Sequence, residues 1–326
     1  MLKKRLTSSG FKGLPQMAHP LRNGLHTAPM KPLFQFPFLL LLPLTLSAGA
    51  EPALPTLEKI SRTATINLGH RESSVPFSYY DGKHQVVGYS HDLMLAMVER
   101  IRKDLRLPAL TVKLVPVTSQ NRIPLVQNGS VDLECGSTTH NRERARHVAF
   151  SVSIFQTSSR LLTRHDSGIQ ELADLKGRRV AVTAGTTSER SLLLHSESTG
   201  MRFDIVTVKD HGDGFNRVQS GHAAAFLMDE AMLYGLRVRA DRPADWRVVG
   251  QPMAAEVYAC MLRKDDPQFK AVVDRSLTEL MQSGEALKIY RRWFQSPIPP
   301  KGLNLNWPAP EALLELYRSP NDRPLG

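Results

Sequence analysis

The sequence is short of several things, and each shortage removes a class of protein. Only two of its 326 residues are cysteine, Cys135 and Cys260. Neither lies in a C-x-x-C pair or a Cys/His cluster, so no metal site is expected. Ser137 sits in Cys135-Gly136-Ser137-Thr138. That is not the G-x-S-x-G elbow of a serine hydrolase. There is no repeat, no low-complexity tract, no polybasic run and no stripe of alternating aromatic and basic residues. Nucleic-acid binding is therefore not expected. No apolar run reaches the roughly 20 residues that span a bilayer. The apolar run near the start, "LFQFPFLLLLPLTL" at 33–46, is interrupted by Pro37 and Pro43.

Acidic residues are absent from the first fifty positions, which hold Lys3, Lys4, Arg5, Lys12, Arg22 and Lys31. These six account for more than half of the formal net charge of +11, and the remainder of the chain carries a modest +5. Lys31, the apolar run and the small-residue exit Ala48-Gly49-Ala50 together read as a secretory signal peptide cleaved after Ala50. Met30 immediately precedes it and is the expected translation start. No cysteine follows the run, so a lipid anchor is not expected. An exported chain meets an oxidising compartment, where Cys135 and Cys260 either bridge or remain two buried thiols.

With 41% hydrophobic and 22% charged residues the chain is globular. Residues 51–60 read as a linker into a strand at 63–70, and "YDGKH" as a hairpin turn before "QVVGYS". Leu93, Met97, Val98, Ile101 and Leu105 share one face of an amphipathic helix. Strands are expected at 110–117, at "SVDLEC", and at "RRVAV", "FDIVTV", "AAAFLM", "WRVVG" and "VYACMLRK", with helices between them. Asp266 and Pro267 mark a helix start, and Gly284 a helix end. Residues 297–326 are proline-rich and read as a surface segment. Strands alternating with helices give an α/β fold class.

Several stretches carry a resemblance: "GHRESSVPFSYYD", "TSQNRIPL", "ECGSTTHNRERARHVAFS", "LKGRRVAVTAGTTSE", "KDHGD", "AAFLMDEA" and "CMLRKDDPQF". From about residue 55 to the end the chain resembles the type II solute-binding proteins of bacterial ABC transporters, in the branch that binds glutamate and aspartate. The resemblance implies a two-lobed type II fold whose lobes are joined by two crossing hinge strands. Lobe 1 would be 51–154 plus 254–326, and lobe 2 would be 155–253. Both cysteines then fall in lobe 1, which favours the bridge. It also implies a monomer in the periplasm of a Gram-negative bacterium, with no cofactor. That monomer would capture L-glutamate or L-aspartate and hand it to permease subunits in the inner membrane.

Such a ligand carries two carboxylates and one ammonium, and a dry cleft must pair each of them. The resemblance assigns Arg144, Thr139, Ser137 and Thr187 to the α-carboxylate. Arg71, Arg122, Ser119 and His211 fall to the distal carboxylate, and Asp229 to the ammonium. A planar guanidinium meets both oxygens of a carboxylate at once, which suits arginine to these places. By sequence alone Arg144 reads as a surface ion pair among Arg142, Glu143 and Arg146, and His211 as one surface loop histidine among 11. Tyr79 and Phe77 read as cleft wall or core, Glu230 as a solvated charge. The alternative function is an enzyme on the same fold, similar to a cyclohexadienyl dehydratase. It would need a spare acid or base, and none stands out in the sequence.

Overall fold

The computed structural model describes residues 54–253 and 255–324. The expected start at Met30, the signal segment and the cleavage site after Ala50 lie outside the described residues. In chain order the elements begin with α1 (Thr56–Thr63), β1 (Thr65–His70), β2 (Ser73–Ser74), β3 (Ser78–Tyr80) and β4 (Val86–Val87). Next come α2 (Tyr89–Asp104), β5 (Thr111–Pro116), α3 (Arg122–Gln127), β6 (Leu133–Glu134) and the long β7 (Ala149–Arg164). Then follow β8 (Arg179–Thr183), α4 (Thr187–Thr199), β9 (Asp204–Val208), α5 (His211–Gln219), β10 (Ala225–Asp229) and α6 (Glu230–Arg239). The chain finishes with β11 (Trp246–Val249), β12 (Ala255–Leu262), α7 (Pro267–Gln282), α8 (Glu285–Phe294) and α9 (Glu311–Arg318).

The main sheet runs β5-β1-β6-β12-β7-β10-β8-β9, with β11 also on β7. β1 pairs in parallel with β5 and β6, and β8 in parallel with β9 and β10. Strand β7 joins these two parallel halves. Up to Ser158 it pairs antiparallel with β12, and from Ser159 onward with β10. The two halves therefore share a single continuous backbone. Among the described residues no helix is long and apolar enough to cross a membrane.

The interior is centred on aromatic rings. Phe77 packs edge-on against Tyr89, Phe155, Tyr258 and Phe294, with centroids 4.8 to 6.0 Å apart. Phe77 and Tyr79 are thus core residues, and Tyr79 donates its hydroxyl to Pro299 O at 2.9 Å. Gly88 starts α2 at φ +138°, where a Cβ would fall 2.2 Å from Phe77 O. Only glycine permits both the backbone angle and that approach.

Two expectations change. Residues 56–60 of the expected 51–60 linker belong to helix α1, which is held by tertiary contacts. Thr56 N donates to Asp266 Oδ2 at 2.7 Å, and Lys59 pairs with Asp132 at 2.7 Å. The C-terminal segment contains α9, which buries Leu313 and Tyr317. The Tyr317 hydroxyl hydrogen-bonds that of Tyr89, which donates to Ile154 O on β7 at 2.6 Å. Polar contacts of this kind have no periodicity to read.

The bridge is formed. Pairing Met261 with Glu134 sets Cys260 opposite Cys135, with Cα atoms 4.3 Å apart, across a sequence separation of 125. Both half-cystines are buried. A loop that long constrains the unfolded chain strongly. Replacing both cysteines by serine should cost about 2–5 kcal/mol of stability. A urea titration should show this as a lower midpoint with a steeper slope, because the unfolded chain without the cross-link exposes more surface.

Candidate functional site

The candidate residues other than Arg144, which lies in the turn before β7, reach one region because each lies at or just past the carboxyl end of a parallel strand, where open α/β sheets place their ligands. Arg71 follows β1. Ser119 and Arg122 follow β5, and Ser137 and Thr139 follow β6. From the other half, Thr187 follows β8, His211 follows β9 and Asp229 ends β10.

Arg71 has no exposed surface and Arg122 is 2% exposed. Arg71 Nη2 donates to Asp210 Oδ2 at 3.2 Å, across from the other half of the sheet. Its Nε and Nη1 are buried and without a partner. Arg122 Nη1 donates to Thr138 Oγ1 at 2.5 Å and to Ser137 O at 3.3 Å, while its Nε has no partner. Burial and the neighbouring Arg144 and Arg71 pull Arg122 down to about 9. Behind both arginines lies Glu134, fully buried, whose Oε2 accepts from Thr138 Oγ1 at 2.8 Å. Ser119 Oγ and Ser137 Oγ are also buried and unpartnered.

His211 opens α5. Its Nδ1 lies 2.9 Å from Thr183 Oγ1, and its Nε2 is buried without a partner. Burial, Arg71 and Arg122 hold its pKa down to about 3, against the opposing pull of Asp210. The ring is therefore neutral, and the tautomer in which Thr183 donates to Nδ1 leaves an N–H donor at Nε2. Asp210 caps α5, and Gly212 N donates to Ser73 Oγ at 2.8 Å, a second contact between the halves.

Arg144 is no surface ion pair: Glu143 pairs with Arg190 instead. Arg144 Nη1 donates to Thr139 O at 3.0 Å and Nη2 to Gly185 O at 3.1 Å, so it too reaches across. Burial lowers its pKa. Thr139 Oγ1 and Thr187 Oγ1 stand 3.4 Å apart. The neighbouring Thr186 caps α4 by accepting from Glu189 N at 3.1 Å. Glu230 is not simply solvated, since it pairs with Arg160 at 2.6 Å.

Asp229 is more committed than the sequence reading allowed. Its Oδ1 accepts from Ser159 at 3.1 Å and Ser188 at 3.2 Å, and its Oδ2 from the Tyr258 hydroxyl. Burial still raises its pKa. The residue missed is Glu256, the second position of β12. It is 3% exposed and its Oε2 has no partner. Burial first, then Asp229, raise it to about 7, against hydrogen bonds from Thr139 and Thr187. A carboxylate at the start of an apolar strand carries no sequence mark of a site. Asp210, the cap of α5, and Glu134, at the end of the short β6, were missed too, since neither place marks a site in the sequence. A groove of about 690 Å³, lined by residues including Ser73, Thr118, Gln120 and Asp210, opens beside Arg71 and Ser119. Among the described residues no cluster of His, Cys, Asp or Glu could hold a metal ion.

These features can be set beside known proteins. The chain is 50% identical over 296 residues to the glutamate/aspartate import solute-binding protein of Escherichia coli strain K12, covering 89% of this chain and 98% of the relative. It is 52% identical to the L-glutamate/L-aspartate-binding protein of Pseudomonas aeruginosa, covering 84% of this chain and 91% of the relative. Among solved structures, an ABC uptake transporter substrate-binding protein from Streptococcus pneumoniae with bound histidine superposes with a TM-score of 0.67 at 20% identity. It covers 76% of this chain and 99% of that one, and supports the fold alone. Residues 66–296 match the family described as bacterial extracellular solute-binding proteins, family 3, and to that family, with its type II periplasmic binding fold, this chain belongs.

Proposed function

We propose that this protein captures L-glutamate or L-aspartate in the periplasm and delivers it to the permease of an ABC importer. The observation that carries this is a set of buried donors without partners, all at strand carboxyl ends: Arg71 Nε and Nη1, Arg122 Nε, His211 Nε2, Ser119 Oγ and Ser137 Oγ. Leaving such groups unpaired is costly, and a ligand carboxylate removes that cost. The names of the two close relatives point to the same ligand.

In this reading Arg144, Thr139, Ser137 and Thr187 hold the α-carboxylate. Arg71, Arg122, Ser119 and His211 hold the distal one, and Asp229 receives the ammonium. Lobe 1 comprises 51–154 plus 254–326 and lobe 2 comprises 155–253. The change of partners on β7 after Ser158 supports a division near there. The protein works as a monomer, exported by cleavage after Ala50, and catalyses nothing. Lobe 1 takes the ligand first, lobe 2 closes, and the closed form docks on the permease.

Two measurements test this. Calorimetric titration of protein unfolded and refolded to strip carried-over ligand should show tight binding of both acidic amino acids. L-glutamine should bind at least about 100-fold more weakly, because an amide leaves the buried arginines mispaired. No acidic amino-acid binding, or turnover of prephenate, would replace this reading with the enzyme alternative. Gly136→Ala should weaken glutamate binding by roughly tenfold or more while the fold survives. Its Cβ would fall 2.5 Å from Glu134 Oε1 and 3.1 Å from Arg71 Cγ, displacing the arginine's support.

A further inference from the structure

Glu256 and Asp229 project from strands on either side of β7 into one space. Asp229 pairs with Ser159 and Glu256 with Thr157. Paired residues share a face of the sheet, and so do Thr157 and Ser159, two apart on one strand. Tyr258, two residues beyond Glu256, lies on that face and donates to Asp229. Two buried carboxylates therefore share that face, both under the influence of Arg144, and Glu256 also accepts from Thr139 and Thr187.

Asp229 already accepts three hydrogen bonds, and a carboxylate offers about four acceptor sites. An ammonium brings three donors. Asp229 alone cannot satisfy it, whereas Glu256 Oε2 stands unpartnered. We infer that Glu256 is a second acceptor for the ligand's ammonium, and that the Asp229–Glu256 pair releases a proton to solvent when that ammonium arrives. The inference rests on the amino-acid ligand proposed above.

The balance is simple. Without ligand, two like charges buried on one face, Asp229 raising the proton affinity of Glu256, hold one proton between them. The three donors to Asp229 favour its ionised form, so that proton resides on Glu256, in line with its pKa of about 7. The groups facing it are Asp229 on β10, Arg144, Thr139 and Thr187 from the flanking loops and α4, and Tyr258 on its own strand. An ammonium replaces the proton as the cation between the two carboxylates. The pair with its cation carries one negative charge before and after binding, and the displaced proton goes to buffer.

Calorimetry at pH 6 in buffers of different ionisation enthalpy counts that proton. Wild type should release about one proton more per L-glutamate than Glu256→Gln, and the difference should vanish by about pH 8.5. At that higher pH Glu256→Gln should bind glutamate roughly tenfold more weakly or worse. Comparing the two proteins cancels any protonation of His211, which is present in both. A carboxyl-carbon NMR titration of wild type covers a variant that does not refold. The Glu256 resonance should titrate near pH 7 without ligand, and not between about pH 5 and 8 with glutamate bound. Equal proton release in both proteins, or an unchanged Glu256 midpoint, overturns this inference alone. No glutamate binding at any pH overturns the proposed function and this inference with it.

Discussion

Burying several arginines in one interior is the constraint around which the rest of the site is arranged. Arg71 and Arg122 have almost no exposed surface, and Arg144 is close enough to Arg122 to lower its pKa. Like charges in a poorly solvated space repel strongly, so the surroundings must supply compensation. Asp210 pairs directly with Arg71, and Glu134 acts on Arg122 through the hydroxyl of Thr138. The backbone is shaped for this. Gly69 and Gly136 flank Glu134, and a Cβ at either would lie within 3 Å of its side chain. Those glycines mark the room needed by a buried carboxylate, and that carboxylate in turn lets the arginines keep their free N–H groups aimed inward.

The same arrangement ties the candidate site to the meeting of the two sheet halves. Arg71 reaches Asp210, Gly212 reaches Ser73, Arg144 reaches Gly185, and Thr139 approaches Thr187. Each pair joins a loop of one half to a loop or helix start of the other. A ligand bound among these groups would contact both halves at once, so its binding energy would favour the closed arrangement. The bridge joins Cys135, next to Glu134 just past the end of β6, to Cys260 on β12, where Met261 pairs with Glu134.

The sequence by itself determined the alternation of strands and helices, because side-chain periodicity is local. It also placed the capping of α7 by Asp266 and the break at Gly284. Arg71, Arg122, Arg144 and His211 were legible only through motif resemblance. By composition they are ordinary polar residues, and what distinguishes Arg71, Arg122 and His211 is burial, which no local pattern encodes. Tertiary structure alone decided that Phe77 and Tyr79 are core, that α1 and α9 are helices held by distant contacts, and that Asp229 is largely committed to Tyr258, Ser159 and Ser188. It alone brought Glu256 beside Asp229. Their meeting depends on strand register across β7, an interaction between segments far apart in the chain. A carboxylate acquires an unusual proton affinity only from the neighbours that such a register supplies.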